Sequence, residues 1–128
     1  MKIVKRVLAM CVVCVLLMSA VALPASAAST TDYLYQSEKS KTLTLNGMFP
    51  SGSGSLMTYA ASKDGVNFYL DCSVGGGEWK NKKHIMCNPG TSDSTGTIYP
   101  GNSYWRGAMN SWWPNGENCY AKGTLTAN

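Results

Sequence analysis

The sequence predicts an all-β fold: a small single-domain antiparallel β-sandwich of six to eight short strands, behind an N-terminal signal peptide. Three observations predict it. Beyond the apolar N-terminus the chain is rich in glycine, serine and threonine, and its apolar runs are short. No window there carries a 3.6-residue apolar period, so amphipathic helices are not expected. Turn signals recur at close spacing, at Lys63-Asp64-Gly65, Pro89-Gly90 and Pro114-Asn115-Gly116.

The leader comes first. Lys2, Lys5 and Arg6 form a positive start, Val7 to Leu23 an apolar run, and Pro24-Ala25-Ser26-Ala27-Ala28 a small-residue site for a signal peptidase. Residues 1–27 therefore read as a secretory signal cut after Ala27 or Ala28. The run sits at the short end of the roughly 17–25 residues a membrane span requires. Ser29, Thr30 and Thr31 follow it in place of a charged stop-transfer cluster. Cys11 and Cys14 make a CxxC, but inside the apolar run they act as small hydrophobes. Met10 stands where a lipoprotein signal needs a small residue.

Removing the leader changes the charge. Eleven Lys+Arg against seven Asp+Glu give +4, and taking Lys2, Lys5 and Arg6 from the eleven leaves eight against seven, a net +1. No nucleic-acid partner follows from that balance, and no membrane partner is expected after cleavage. The one basic cluster, Lys80, Lys82, Lys83 with His84, reads first as a solvated loop.

Residues 28–40 are polar and read as a leader with a possible first strand at Tyr33–Tyr35; the sandwich domain is expected over 41–128. Lys41–Met48 reads as a strand, with Leu43 and Leu45 on one side and Thr42, Thr44 and Asn46 on the other. Ser51-Gly52-Ser53-Gly54-Ser55 reads as a loop and Leu56–Ser62 as the next strand. Val66–Ser73 alternates most cleanly: Val66, Phe68, Leu70 and Cys72 share one face, Asn67, Tyr69, Asp71 and Ser73 the other. That contrast marks a strand buried on one face and wet on the other. Gly75-Gly76-Gly77 opens a loop, His84–Asn88 is a short strand, and Thr91–Gly96 is a polar loop.

The last third reads as a hairpin. Ser103–Trp113 and Asn118–Thr126 flank Trp113-Pro114-Asn115-Gly116-Glu117, which suits a three-residue turn with a glycine bulge. In that register Met109 opposes Ala121 and Trp105 opposes Leu125, with Cys119 on the same face. Tyr104, Arg106, Asn110, Trp112, Tyr120 and Lys122 then share the other face.

Cys72, Cys87 and Cys119 survive cleavage, and an exported chain favours a disulfide. Cys72–Cys87 is the first expectation, across a hairpin turning at Trp79–Lys80, with Cys119 left free or as the alternative partner.

Catalytic constellations are sparse. His84 is the one histidine, set among lysines, so a Ser-His-Asp or Cys-His arrangement would have to use it. Asp71 and Glu117 are a nominal carboxylate pair that nothing in the spacing unites. No zinc, EF-hand or phosphate-loop spacing is present, so neither catalytic residues, metal nor cofactor is expected. What remains is aromatic. Trp105 and Trp113 suit a core, whereas Tyr69, Tyr104, Trp112 and Tyr120 fall on faces assigned to solvent, beside Asp71, Arg106 and Asn110. These seven residues form the candidate ligand site. The expectation is a secreted, non-enzymatic protein that binds a cell-surface glycan or protein. A secreted antagonist, either a bacteriocin-like toxin or an enzyme inhibitor, is the alternative, and a small hydrolase comes third.

Overall fold

The computed structural model describes residues 26–112 and 118–128, so the expected signal and the Pro114-Asn115-Gly116 turn lie outside the described residues. Eight strands run in chain order: β1 (Ala28–Leu34), β2 (Ser40–Thr44), β3 (Gly52–Thr58), β4 (Val66–Val74), β5 (Trp79–Cys87), β6 (Ser92–Ser94), β7 (Ser103–Ser111) and β8 (Ala121–Ala127). No helix occurs among the described residues. The strands form two antiparallel sheets, ordered β1-β8-β3-β6 and β2-β7-β4-β5. The all-β sandwich expected from patterning is thus what the chain folds into, and this strand order is that of a jelly roll.

The core lies between the sheets. Val66, Phe68, Leu70 and Cys72 of β4 are fully buried, as their alternation required. Trp105 and Met109 of β7 face them from within the same sheet, and Leu56, Ala121 and Leu125 come from the other. Trp105 keeps its indole satisfied by donating from Nε1 to the Phe49 carbonyl at 3.1 Å. A ring such as Phe68, once buried, contributes about 1.5–3 kcal/mol relative to exposure.

Several expectations need correction. The Ser51–Ser55 loop is strand β3, whose glycines point inward: a Cβ on Gly52 would sit 2.4 Å from Trp105 Cδ2, and one on Gly54 2.2 Å from Phe68 Cε1. Glycine is required there because the opposite sheet's largest rings occupy the space. The polar leader is likewise structural. Its strand starts at Ala28 and pairs along its length with β8, from Ala28 opposite Ala127 to Leu34 opposite Ala121.

The hairpin of β7 and β8 does not form. β7 pairs with β2 and β4, β8 with β1 and β3, so the two strands lie in different sheets. Met109 therefore stands opposite Phe68 and Lys41, not Ala121, and Trp105 opposite Cys72, not Leu125. Trp105, Met109, Cys119, Ala121 and Leu125 all face inward as the alternation predicts, but they meet across the core: a Cβ on Gly123 would fall 2.6 Å from Met109 Sδ.

The fourth correction is the disulfide. β4 and β5 do form a hairpin, but it turns through Gly75-Gly76-Gly77, with Gly75 and Gly76 at positive φ, rather than at Trp79–Lys80. Cys72 then stands opposite Lys80 and Cys87 opposite Val66, at the two ends of the ladder. Cys72, Cys87 and Cys119 are all buried free thiols. β5 is also longer than the His84–Asn88 strand expected, and the Thr91–Gly96 loop contains β6.

Candidate functional site

Antiparallel pairing lays side chains in rows across a sheet. On the outer face of β2-β7-β4-β5, one row runs from Thr44 through Arg106 and Asp71 to Asn81. The next holds Ala108, Tyr69 and His84; the third holds Asn110, Asn67 and Met86; the row beyond Arg106 holds Tyr104, Ser73 and Trp79. Five of the seven predicted residues, Tyr69, Asp71, Tyr104, Arg106 and Asn110, are therefore brought together on one face.

The face is knit by two polar networks. Arg106 donates from Nη2 at 2.8 Å and from Nε at 3.3 Å to Asp71 Oδ2, while Asn81 Nδ2 donates to Asp71 Oδ1 at 3.0 Å. The guanidinium carbon lies 4.5 Å from the centre of the Trp79 ring, within cation–π range. In the second network His84 stacks on Tyr69, with centroids 4.5 Å apart and planes 5° from parallel. His84 Nε2 and Asn67 Oδ1 lie 2.8 Å apart, and Asn67 Nδ2 donates to Asn110 Oδ1 at 3.0 Å. Within this frame Trp79, Tyr104 and Met86 stay exposed, at 44%, 41% and 38%. Lys80, Lys82 and Lys83 are exposed along β5, the edge strand.

Trp79, His84, Asn67 and Met86 are the members that sequence reasoning missed. For Trp79, His84 and Met86 the signal is the outward parity of β5, broken by a register shift opposite Leu70/Asp71, whereas Asn67 shares the regular alternation of β4. Such a shift hides a period of two in a single sequence.

The other two predicted residues lie elsewhere. Trp112 follows β7 and is 55% exposed, its backbone N–H donating to the Gly65 carbonyl at 2.9 Å. Tyr120 belongs to the other sheet's end, where it stacks on Tyr59 with centroids 4.1 Å apart. Burial, chiefly, raises the Tyr59 phenol above its ordinary value.

The nominal catalytic groups are committed to these networks. His84 faces Asn67 and Tyr69, and Asp71 is held by Arg106 and Asn81. Glu117 lies outside the described residues. The Cys87 thiol donates to the Leu56 carbonyl at 3.6 Å, and burial pushes it up, away from thiolate chemistry. No cluster of three or more His, Cys, Asp or Glu side chains occurs among the described residues.

No protein-family model and no curated protein matches the sequence. Solved structures are similar in fold. The PBSX exported protein XepA superposes with a TM-score of 0.54 at 13% identity, covering 80% of this chain and 36% of XepA, so the chain spans about a third of that protein's length. PirA superposes at 0.50 with 8% identity, covering 84% of this chain and 99% of PirA. The Yersinia pseudotuberculosis-derived mitogen superposes at 0.49 with 13% identity, covering 80% of this chain and 85% of the mitogen. At these identities the likeness is one of fold.

Proposed function

We propose that this chain is an exported, non-enzymatic binding protein that docks an extracellular protein partner on the outer face of β2-β7-β4-β5. One observation carries the reading: Arg106 is fixed by Asp71 and stacked on Trp79 at the middle of a face where Trp79, Tyr104 and Met86 remain exposed. Tryptophan, tyrosine and arginine dominate the energetics of protein interfaces, and methionine is enriched in them. A side chain already held in place loses little entropy on binding. The glycan alternative relies on the same rings. It is served less well here, because the polar groups beside them already satisfy one another. An antagonist, whether toxin or enzyme inhibitor, is the special case in which the docked protein is a target.

The test is binding of labelled protein to intact cells, with the cells treated by protease or by periodate. Docking to a protein predicts loss after protease and survival after periodate. It also predicts binding weakened at least about tenfold by Trp79→Ala or Arg106→Ala, the usual scale of an interface hot spot. Thr124→Ala, on the opposite sheet, leaves it unchanged. Binding that depends on Trp79 and Arg106 but is abolished by periodate and spared by protease makes the partner of this face a glycan and overturns this reading, as does protease-sensitive binding indifferent to both residues.

A further inference from the structure

At one end of the sandwich the β1–β2 and β3–β4 connections meet residues 118–120, and there the chain gathers four tyrosines. Tyr33 and Tyr35 lie 6.1 Å apart between ring centres, with planes 27° from parallel. Tyr35 and Tyr120 lie 6.1 Å apart at 19°, and Tyr120 and Tyr59 4.1 Å apart at 14°. The rings form a row of near-parallel planes. An open depression of about 570 Å³ lies beside it, lined by Tyr35, Gln36, Ser37, Ala61 and Tyr120.

We infer that this depression is a second binding site, for a neutral pyranose sugar, separate from the sheet face proposed for the protein partner. Its volume falls within the range of small-ligand sites. The described residues that line it, Tyr35, Gln36, Ser37, Ala61 and Tyr120, are uncharged, which suits a neutral sugar. The ring planes argue against a quaternary ammonium, which needs rings boxed around a cation. Tyr35, the half-exposed ring of the row, instead offers flat apolar surface to the C–H face of a sugar ring. Gln36 brings both an amide donor and an amide acceptor, and Ser37 and the phenols bring hydroxyls that donate and accept. Each sugar hydroxyl has the same dual capacity.

The site is also preformed. Tyr35 is 50% exposed, a costly position for a large ring, yet it is pinned. Its N–H donates to Glu38 Oε2 at 3.0 Å, its carbonyl accepts from the Glu38 N–H at 2.8 Å, and Lys41 Nζ donates to Glu38 Oε1 at 3.2 Å. The Gln36 carbonyl accepts from the Asn118 N–H at 2.8 Å. Tyr120 is fixed by its N–H to Ser62 Oγ at 3.0 Å and by its carbonyl, which accepts from the Tyr59 N–H at 3.0 Å. Residues 118–120 are thus stitched to the β1–β2 and β3–β4 connections around the depression, and binding there orders little of these described residues that is not already ordered.

The experiment is a titration of the isotope-labelled protein, followed by its backbone amide NMR signals. The ligands are a panel of neutral sugars (glucose, galactose, N-acetylglucosamine and their β-linked disaccharides), with a proline-rich peptide in parallel. At least one sugar is expected to move the amides of Tyr35, Gln36, Ser37, Ala61 and Tyr120 together. Tyr35→Ala weakens that sugar roughly tenfold, the loss of one ring face, and Tyr35→Phe keeps the stacking. Gln36→Ala, a milder surface change, weakens it without touching the ring row and guards against a misfolded Tyr35 variant. Trp79→Ala and Arg106→Ala leave sugar binding unchanged, so this site and the sheet face fail or stand separately. No shift with any sugar at tens of millimolar, shifts confined to the Trp79 face, or shifts produced by the peptide alone would each overturn the inference.

Discussion

A glycine facing inward on a strand marks a place where the opposite sheet comes close. Gly54 lies under Phe68, and Gly123 under the flexible end of Met109. A methyl group at Gly54 meets a ring that cannot bend away, so Gly54→Ala is expected to cost about 1–3 kcal/mol by overpacking. Gly123→Ala is expected to cost clearly less, because a thioether can swing aside. Urea unfolding of the two variants checks the order, and equal costs defeat the account. The Ser-Gly alternation of β3 was in plain view in the sequence. What made it look like a loop is that glycine marks loops and close approaches alike, and the rings that demand it lie on β4 and β7. Glu38 offers a second prediction at this scale. The Tyr35 N–H, and secondarily Lys41, holds its carboxyl below the ordinary 4.5. A carboxylate whose folded pKa is lowered adds stability that is complete above its unfolded pKa and is lost as pH falls through the folded value. Lys41, raised chiefly by its hydrogen bond to Glu38, has the opposite sign: its share is lost at the alkaline end, as pH rises through its folded value. Thermal midpoints measured from about pH 6 down to about pH 2 should fall less steeply for Glu38→Gln than for the parent chain.

At the scale of the strand, parity reports which side chains go inward and says nothing about which strand lies alongside. β7 and β8 show the difference. Trp105, Met109, Ala121 and Leu125 are all buried, as their spacing indicates, yet the two strands face each other across the core. The same gap explains the candidate site. Tyr69, Asp71, Tyr104, Arg106 and Asn110 were legible because β4 and β7 alternate without a break. Trp79 and His84 were not legible, because the β5 irregularity shifts their parity and the lysines beside them look like a solvated loop. Tyr120 immediately precedes β8, which lies in the other sheet, so it stacks on Tyr59 away from this face, a fact no local pattern carries. The cysteines depend on register alone. With Cys72 and Cys87 at opposite ends of the β4–β5 ladder and three free buried thiols, the thermal midpoint is expected to be the same with and without dithiothreitol. A bond closing that short loop would instead add about 3 kcal/mol by the chain-entropy account and make the midpoint fall on reduction. Mass analysis after alkylation in denaturant should find these three sites modified without prior reduction.

Across the whole molecule, β4–β5 is the one pair of adjacent strands that are also consecutive in the chain; every other ladder joins strands separated by at least one element. Such closures lose chain entropy before their contacts form, so refolding from denaturant is expected to take milliseconds to seconds, slow for a domain of this size. Stopped-flow fluorescence of the buried Trp105 follows it, and microsecond refolding would contradict the topology. Substitutions that weaken the β4–β5 turn should slow folding more than they speed unfolding, because this ladder alone has a short loop to close. The lysines of β5 also gain a role at this scale, since charged side chains along an exposed edge oppose pairing with a second sheet.

The pairing of β1 with β8 has a mechanical consequence. Because Ala28 lies opposite Ala127, the strands that lead into and out of the fold do so side by side. Tension applied between the two ends would not shear this ladder as a whole. It would open the cross-strand bonds one pair after another, starting at Ala28 and running toward Leu34, as a zipper opens. A load along the chain therefore meets the bonds of that ladder in turn, while a load entering through the opposite sheet has the packed core between it and that seam.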